Sequence, residues 1–518
     1  MSSTGSSGAT VTPMTGVALA ITSIALALGT FMQVLDSAIA NVSIPTIAGN
    51  LGVSSSQGTW VITSFAVANG VSVPLTGWLM MRFGVVKTFV ASVTLFTLAS
   101  LLCGLSFNLP SLIAFRVLQG AVSGPMIPGS QALLIMIFPA NRRGTALSIW
   151  SVTTLVAPIC GPILGGYISD NFSWPWIFLI NVPVGLLCGV VCWRAMNSRE
   201  TPTRVVPIDR TGFFLLLTWV GTLQIMLDTG KDADWFNSSA IVVELLIAVV
   251  AFVAWVIWEL GAEHPIVDLS LLRSRNFVLA SIAFCLGYAV YFGNNLLLPL
   301  WLQTQLGYMA TTAGLTLAPS GIAAVLVAPL AARFMARVDA RWGASIALAI
   351  YALSYYLRSL FTADIDTAAL VIPALVQGSA MGIFFISMTT LLLNGVPPTQ
   401  LPAASGLSNF LRITAGSFAA SLVTSVWDRR AALHQSHISE AVGGAHDPMF
   451  AVALQGLQRA GLSAQQAMAV VTQQAAHQAY LLASIEIFRV SAWLLVLLIP
   501  CVWFTRRTMA NGEVAAAD

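Results

Sequence analysis

The stretch TGVALAITSIALALGTFMQVLDSAIANV, residues 15–42, holds a single charge, Asp36, in an otherwise uncharged run. A helix crosses the hydrocarbon core of a bilayer with about 20 mostly apolar residues. The run is long enough for that. No Lys or Arg precedes it and no cleavage-like end follows it, so a retained span is expected rather than a signal peptide. Thirteen further candidates follow, at 57–80, 86–106, 109–134, 144–168, 175–194, 211–228, 239–260, 277–302, 311–332, 341–361, 367–393, 402–427 and 484–505. Their frequent Gly and Pro are tolerated in membrane helices. The whole chain agrees: 57% of its 518 residues are hydrophobic and 8% charged, against about 25% charged in a soluble protein. A soluble surface could not be built from so few charges, and a disordered chain would not be so apolar. The net charge of +3 leaves no dense basic face for nucleic acid. An all-α polytopic membrane protein remains.

The basic residues orient it. With the N-terminus inside, the inner loops and tail hold fifteen Lys or Arg, the outer loops four, and the spans Arg116, Arg358, Arg412 and Arg489. This inside excess predicts fourteen spans with both ends cytoplasmic. The six cysteines lie in apolar runs with no metal-ligand spacing, so neither a disulfide framework nor a metal site is expected, and no cofactor. Cys188 and Cys192 read as small packing residues. His434 and His437 lack a third ligand and read as exposed loop residues. They lie in an outer segment, 428–483, read as a polar loop with helical stretches such as Leu462–Gln478, either a cap or a docking surface.

An internal repeat divides the chain. Pro74-Leu75-Thr76-Gly77-Trp78-Leu79-Met80-Met81-Arg82 resembles Pro329-Leu330-Ala331-Ala332-Arg333-Phe334-Met335-Ala336-Arg337, at an offset of 255. Gln119-Gly120 with Gly124 resembles Gln377-Gly378 with Gly382, at 258, and Leu147-Ser148-Ile149-Trp150 resembles Leu407-Ser408-Asn409-Phe410, at 260. The offset equals eight spans, so the plan is six, two and six. That gives a bundle over 1–200, two inserted spans over 201–265, and a second bundle over 266–518. The inserted pair reads as a peripheral spacer.

These residues resemble, along nearly the whole chain, the fourteen-span drug:proton antiporters of the major facilitator superfamily, above all the EmrB-type efflux pumps. The first-helix run Leu35–Pro45 is similar to the family signature there. So is Gly77-Trp78-Leu79-Met80-Met81-Arg82-Phe83-Gly84, the loop motif after span two, and Arg116-Val117-Leu118-Gln119-Gly120 in span four. Ala157-Pro158-Ile159-Cys160-Gly161-Pro162-Ile163-Leu164-Gly165-Gly166 resembles the fifth-helix antiporter motif, and Pro265–Leu272, with Asp268, adds to the match. Two positions depart. Met81 stands where the family usually carries an Asp that gates the inner face, and Ala157 where Gly is usual. The resemblance implies the major facilitator fold and proton-driven export of hydrophobic, drug-like compounds from a bacterial inner membrane. It also implies a periplasmic adaptor and an outer-membrane channel as partners. It implies no enzyme activity, and no nucleotide-binding loop is present.

Within that frame the intramembrane charges point to function, because a carboxylate in hydrocarbon is expensive. Asp36 lies about eight residues inside the outer end of span one, and Arg116 as far inside span four, so both sit roughly 12 Å deep at about 1.5 Å per residue. Desolvation drives a buried acid toward protonation, and a nearby Arg opposes it. Asp36 is therefore the expected proton carrier and Arg116 its tuner, with a fixed ion pair as the alternative. Arg412, mid-span beside Asn409, is a candidate either for contact with an anionic substrate or for pairing with a helix end; Arg358, near an outer end, is expected to snorkel. Asp228 is expected to pair with Lys231, and Glu244 with the surface or a loop. Gly161, Pro162, Gly165 and Gly166 are expected to pack tightly on a helix of the other half. The expected pocket is lined by Gln33, Gln119, Trp150, Tyr288, Tyr291, Asn294, Asn295, Gln377, Phe384, Phe385 and Asn409, because aromatic faces with amides suit bulky amphiphiles. An exporter of an endogenous amphiphile such as a fatty acid or siderophore, or a membrane sensor without turnover, are the rival readings.

Overall fold

The computed structural model describes residues 13–507, except 54, 59, 140, 141, 206, 231, 232, 264, 268, 309, 336, 364, 398, 399 and 443–447. Lys231 and Asp268 thus lie outside the described residues, as does the side chain of Pro162. The α-helices, in order, are α1 (Gly16–Leu51), α2 (Ser55–Gly58), α3 (Trp60–Ser72), α4 (Thr76–Phe83), α5 (Val85–Gly104), α6 (Leu109–Ser123) and α7 (Met126–Ile137). Then come α8 (Arg143–Asn171), α9 (Trp176–Leu179), α10 (Asn181–Met196), α11 (Arg210–Thr229), α12 (Ser239–Gly261) and α13 (Arg275–Gln305). The rest are α14 (Ala310–Leu315), α15 (Ala318–Met335), α16 (Ala340–Arg358), α17 (Thr367–Leu393), α18 (Leu401–Val442), α19 (Pro448–Arg459) and α20 (Ala464–Trp503). No strand occurs among the described residues.

Eleven described stretches of helix are long and apolar enough to cross a membrane, or twelve when α3 and α4 are taken as one span bent by 56°. The bend falls at Pro74, whose missing N–H interrupts the helical ladder. α8 and α16 stand where the fifth and eleventh spans are expected. α16 carries Arg341, Arg358 and three tyrosines, which lower its apolar character.

Several hydroxyls inside the spans are satisfied within their own helix, as hydrocarbon favours. The hydroxyls of Thr94, Thr97, Thr153 and Thr154 each donate to the carbonyl four residues back. Ends are marked by side chains: Asn108 and Ser111 form a capping box at α6, and Ser463 and Gln466 another at α20.

The helices pack in two groups. α1, α5, α6, α8 and α10 pack on one another, with α3 against α6; α13, α16, α17, α18 and α20 do the same. The Arg-rich loops gather at one end: the Arg204 N–H donates to Met81 O at 2.9 Å, and Arg506 N–H to Asn276 Oδ1 at 2.8 Å. At that end the two groups meet closely. A Cβ on Gly77 would lie 3.3 Å from Ala403 Cα, and one on Gly144 3.4 Å from Ala332 O.

Three expectations are corrected. The inserted pair is not a mere spacer: α11 lies along α3, while Trp219 meets Phe410 at 5.7 Å between ring centroids. Ser421 Oγ donates to Leu227 O at 2.7 Å and Trp235 Nε1 to Ser425 Oγ at 2.8 Å. The pair thus covers a seam between the two groups. Secondly, the outer segment is helical through most of its length. α18 runs unbroken to Val442, α20 begins at Ala464, and α19 lies between them. The two span helices project well past the bilayer as a hairpin, roughly 20–30 Å at 1.5 Å per residue. Its base is clamped by the bidentate pair Arg430–Glu486 at 2.6 Å and by Trp427 against Tyr480. Thirdly, His434 is not a loose loop residue; it is largely buried 3.2 Å from Glu486.

Candidate functional site

Asp36 and Arg116 meet. Arg116 Nη1 lies 2.5 Å from Asp36 Oδ2, with both side chains 1% exposed or less. Their equal depth on α1 and α6 makes this contact possible, and the remaining polar groups complete it. Arg116 Nε donates to Val61 O at 2.9 Å, and Arg116 Nη1 also to Gln119 Oε1 at 2.7 Å. Gln119 Nε2 then donates to Asp36 Oδ1 at 3.1 Å and to Ser100 Oγ at 2.6 Å. Asn181 Nδ2 adds a bond to Asp36 Oδ1 at 2.8 Å. Three side chains thus donate to one carboxylate, which suits an acceptor-only group. The guanidinium also stacks over Phe65 at 4.3 Å and Phe178 at 5.4 Å.

Gln119 therefore belongs to the charge site rather than the substrate pocket where the sequence placed it. Asn181, Ser100 and the neighbouring Cys103, whose Sγ is 3.7 Å from Gln119 Oε1, were not foreseen. Asn181 carried the one available signal, an amide in an apolar run just before Pro183.

A second cluster lies where α17, α18 and α13 face α7 and α8. Arg412 Nη2 donates to Asn409 Oδ1 at 2.8 Å, and Asn409 Nδ2 reaches across to Gln131 Oε1 at 3.3 Å. The Arg412 guanidinium sits 4.6 Å from the Tyr288 ring and 5.6 Å from Phe385. Phe385 contacts Trp150 of α8, Tyr288 and Phe384 at 5.7–6.3 Å between centroids. Tyr291 joins through Tyr288 at 5.9 Å. The structure thus assembles Trp150, Tyr288, Tyr291, Phe384, Phe385, Asn409 and Arg412, an aromatic wall around one cation. Among the described residues no carboxylate forms an ion pair with Arg412.

Other candidates fall outside it. Asn294 turns to α20 and donates to Ser491 Oγ at 2.8 Å. Asn295 is half-buried beside it. Gln33 is buried on α1, its Oε1 without a hydrogen-bond partner. Gln377 bonds Arg358 instead. Arg358 does not snorkel: it is fully buried. Helical side chains lean toward the N-terminus, so an Arg closing α16 leans into the bundle rather than out of it. Asp228 accepts from Gln224 at 3.2 Å, and Glu244 is half-buried.

The motif glycines also divide. A Cβ on Gly161 would overlap Ala38, and one on Gly165 would sit 3.3 Å from Ile39 O. Both therefore pack on α1 of their own half, not on the other half as expected. The face that α8 turns to the other half is instead set by Gly144 and Val152, against Ala332 and its neighbours. Gly166, like them, lies on α8 and is buried. Gly84 has φ +92°, and the Glu200 carboxylate fills the place of a side chain there. Glu200 accepts from the Val86 and Lys87 N–H groups at 3.0 and 2.8 Å, capping the start of α5. An acid thus reaches the loop motif from the far end of α10, while Met81 is exposed. Arg82 stacks near Trp78 and Phe83.

An apolar groove of about 630 Å³ opens between α1 and α8, walled by Leu19, Ile24, Phe31, Ile149 and Val156, with Val325 opposite. Among the described residues no cluster of three metal-ligating side chains occurs.

Comparison with known proteins gives a consistent picture. Residues 26–420 match the Major Facilitator Superfamily. The chain is 47% identical over 501 residues to the multidrug export protein EmrB of Escherichia coli K12, covering 96% of this chain and 98% of that protein. It is 44% identical over 500 residues to the fatty acid resistance protein FarB of Neisseria gonorrhoeae, covering 96% and 98%. Among solved structures, the proton:xylose symporter XylE superimposes with a TM-score of 0.58 at 14% identity, over 95% of this chain and 97% of that one, a likeness of fold alone.

Proposed function

The chain belongs to the Major Facilitator Superfamily, and within it to the family of the EmrB multidrug exporters; on that footing we propose that it is a proton-driven exporter of hydrophobic and amphiphilic compounds. The observation that carries the reading is the buried Asp36–Arg116 pair with its amide partners. Asp36 is the proton carrier. In the conformation described, Arg116, Gln119 and Asn181 hold its oxygens. A shift of α1 against α6 that withdrew Arg116 would leave a desolvated carboxylate, which takes up a proton. Return of Arg116 would expel it. The residues supply a two-state element whose populations both proton and substrate bias.

The substrate cluster around Arg412 lies across the contact between the two helix groups, at Trp150–Phe385 and Asn409–Gln131. A molecule seated there would be felt by both. The groove between α1 and α8 would admit apolar molecules beside the same helices. One proton moving down about 150 mV releases roughly 3.5 kcal/mol, enough to hold a neutral compound at a gradient of a few hundred-fold.

The helical hairpin of α18 and α20 is the part that reaches furthest from the membrane at the end opposite the Arg-rich loops. We assign to it the docking of a periplasmic adaptor protein, which with an outer-membrane channel completes a tripartite pump. On this reading the chain lies in a bacterial inner membrane with both termini cytoplasmic, as its inside excess of Lys and Arg favours. An endogenous amphiphile is the second reading of the cargo, favoured by the relative named for fatty acid resistance and by an Arg412 that lacks an acid.

Substrate-induced proton release from proteoliposomes tests the core of this. Exchange should appear with the wild-type chain and vanish in Asp36→Asn; exchange that survives in Asp36→Asn moves the carrier elsewhere.

A further inference from the structure

The second bundle repeats the proton site without its acid. The offset of 255 that aligns Pro74 with Pro329 carries Asp36 to Tyr291; the offset of 258 carries Gln119 to Gln377 and Ser100 to Arg358. The bonding is repeated too. Gln119 Oε1 accepts from Arg116, and Gln377 Oε1 accepts from Arg358. In the first bundle the Gln119 amide then donates to a carboxylate. In the second, Gln377 Nε2 finds no partner among the described residues, nor do Nε and Nη1 of Arg358 or the hydroxyls of Tyr351 and Tyr355. Arg358, Tyr351 and Tyr355 are fully shielded and Gln377 is 1% exposed. Arg358 lies 5.6 Å from the Tyr355 ring, and Tyr355 stacks on Tyr351 at 6.3 Å with the planes 5° apart. Tyr351 meets Tyr291 at 6.1 Å, and Tyr291 meets Tyr288 beneath Arg412.

A buried cation surrounded by unused donors is costly unless an anion meets it. Every unused group here can donate and, among the described residues, no acid forms an ion pair with Arg358, so the chemistry selects an anion and rejects a cation. The tyrosine rings between Arg412 and Arg358 give an apolar, aromatic surface continuous with the substrate cluster. We propose that Arg358, Gln377 and the hydroxyls of Tyr351 and Tyr355 form a site for the carboxylate of an exported amphiphile, whose chain lies along those tyrosines toward Arg412. The cargo supplies the acid that the second bundle lacks. This rests on the export reading above.

The test uses the purified full chain and three probes: dodecanoate, uncharged dodecan-1-ol, and chloride. Titration calorimetry should show dodecanoate bound by the wild type and weakened about tenfold or more in Arg358→Gln, as expected when one partner of a buried charge contact is removed. Dodecan-1-ol affinity should stay within about twofold, since uncharged ligands lose nothing. Tyr351→Phe, which keeps the ring, should weaken dodecanoate several-fold and serves if Arg358→Gln does not fold. Dodecanoate binding unchanged in both variants overturns the proposal. So does an effect confined to Arg412→Gln. A chloride-dependent thermal shift lost in Arg358→Gln, with dodecanoate unaffected, assigns the site to a free ion and overturns the headgroup assignment. Proton release by the wild type with an uncharged drug is measured separately: its absence would defeat proton-driven export while Arg358-dependent carboxylate binding stood.

Discussion

Arg116 and Arg358 are both fully buried, and each donates to a glutamine on the corresponding helix of its bundle, Gln119 and Gln377. Of the two, only Arg116 forms an ion pair with an acid among the described residues. In the first bundle the charge is neutralised within the protein, by Asp36, with Ser100 and Asn181 closing the network. In the second, among the described residues, tyrosine rings and a single amide surround the cation. Arg116 on α6 and Arg358 on α16 stand at different positions of the repeat, yet each is tied to the matching glutamine. On the proposed reading, a carboxylate of the protein makes the first site exchange a proton, and the second site, without one, awaits an anion.

The sharpest way to break that contrast is Asp36→Asn. It keeps the hydrogen-bond acceptor and removes the titratable group, so substrate-driven proton release should fall to the level of protein-free liposomes. Substrate binding, measured on the same preparation, should persist, because the Arg412 cluster lies on other helices.

Next in size are the arginines themselves. Arg116→Gln leaves Asp36 buried without its cation and should destabilise the chain by about 3–5 kcal/mol. Arg358→Gln removes a cation that pairs with no acid among the described residues and should be near neutral or stabilising. Thermal unfolding in one detergent compares them directly; equal losses would erase the distinction between the bundles.

The glutamines extend the comparison at smaller scale. Gln119→Leu removes bonds to Asp36, Ser100 and Arg116, each contact to a charge being worth about 1.5–3 kcal/mol. It should lower both stability and proton coupling. Gln377→Leu removes one bond, to Arg358, and should leave proton release intact. Proton release measured for the two side by side decides this, and a fall in Gln377→Leu would contradict it.

Much of this was legible beforehand because the bilayer makes charge conspicuous. Asp36 and Arg116 stood out as lone charges at equal depth, and their contact followed. The amides did not declare themselves: Gln119 and Asn409 look alike in a span, yet one bonds the Asp36–Arg116 pair and the other reaches Gln131 across the two helix groups. Arg358 was misplaced because its position near a helix end suggests water, whereas side-chain lean carries it inward. Gly161 and Gly165 announced close packing but not its partner, since a missing Cβ says nothing about which helix fills the space. The outer hairpin was only partly legible: its Gln- and Ala-rich stretch read as helical within a polar loop, and only the continuity of α18 and α20 with their spans shows a projecting rod.

The inserted helices give the smallest test, and it bears on whether the two bundles move alone. Ser421 of α18 donates to Leu227 O at the end of α11, and Trp235 bonds Ser425 one turn on. These bonds tie the pair to the second bundle, while α11 lies against α3 of the first. If the pair rides with the second bundle, Ser421→Ala should cost about 0.5–1.5 kcal/mol, the net worth of one hydrogen bond. It should leave proton coupling and dodecanoate affinity unchanged, because neither buried arginine touches α11. Thermal unfolding together with proton release measures both. Intact stability with altered coupling would mean that the insertion gates the movement between the bundles, and that the asymmetry between them extends to how they rock.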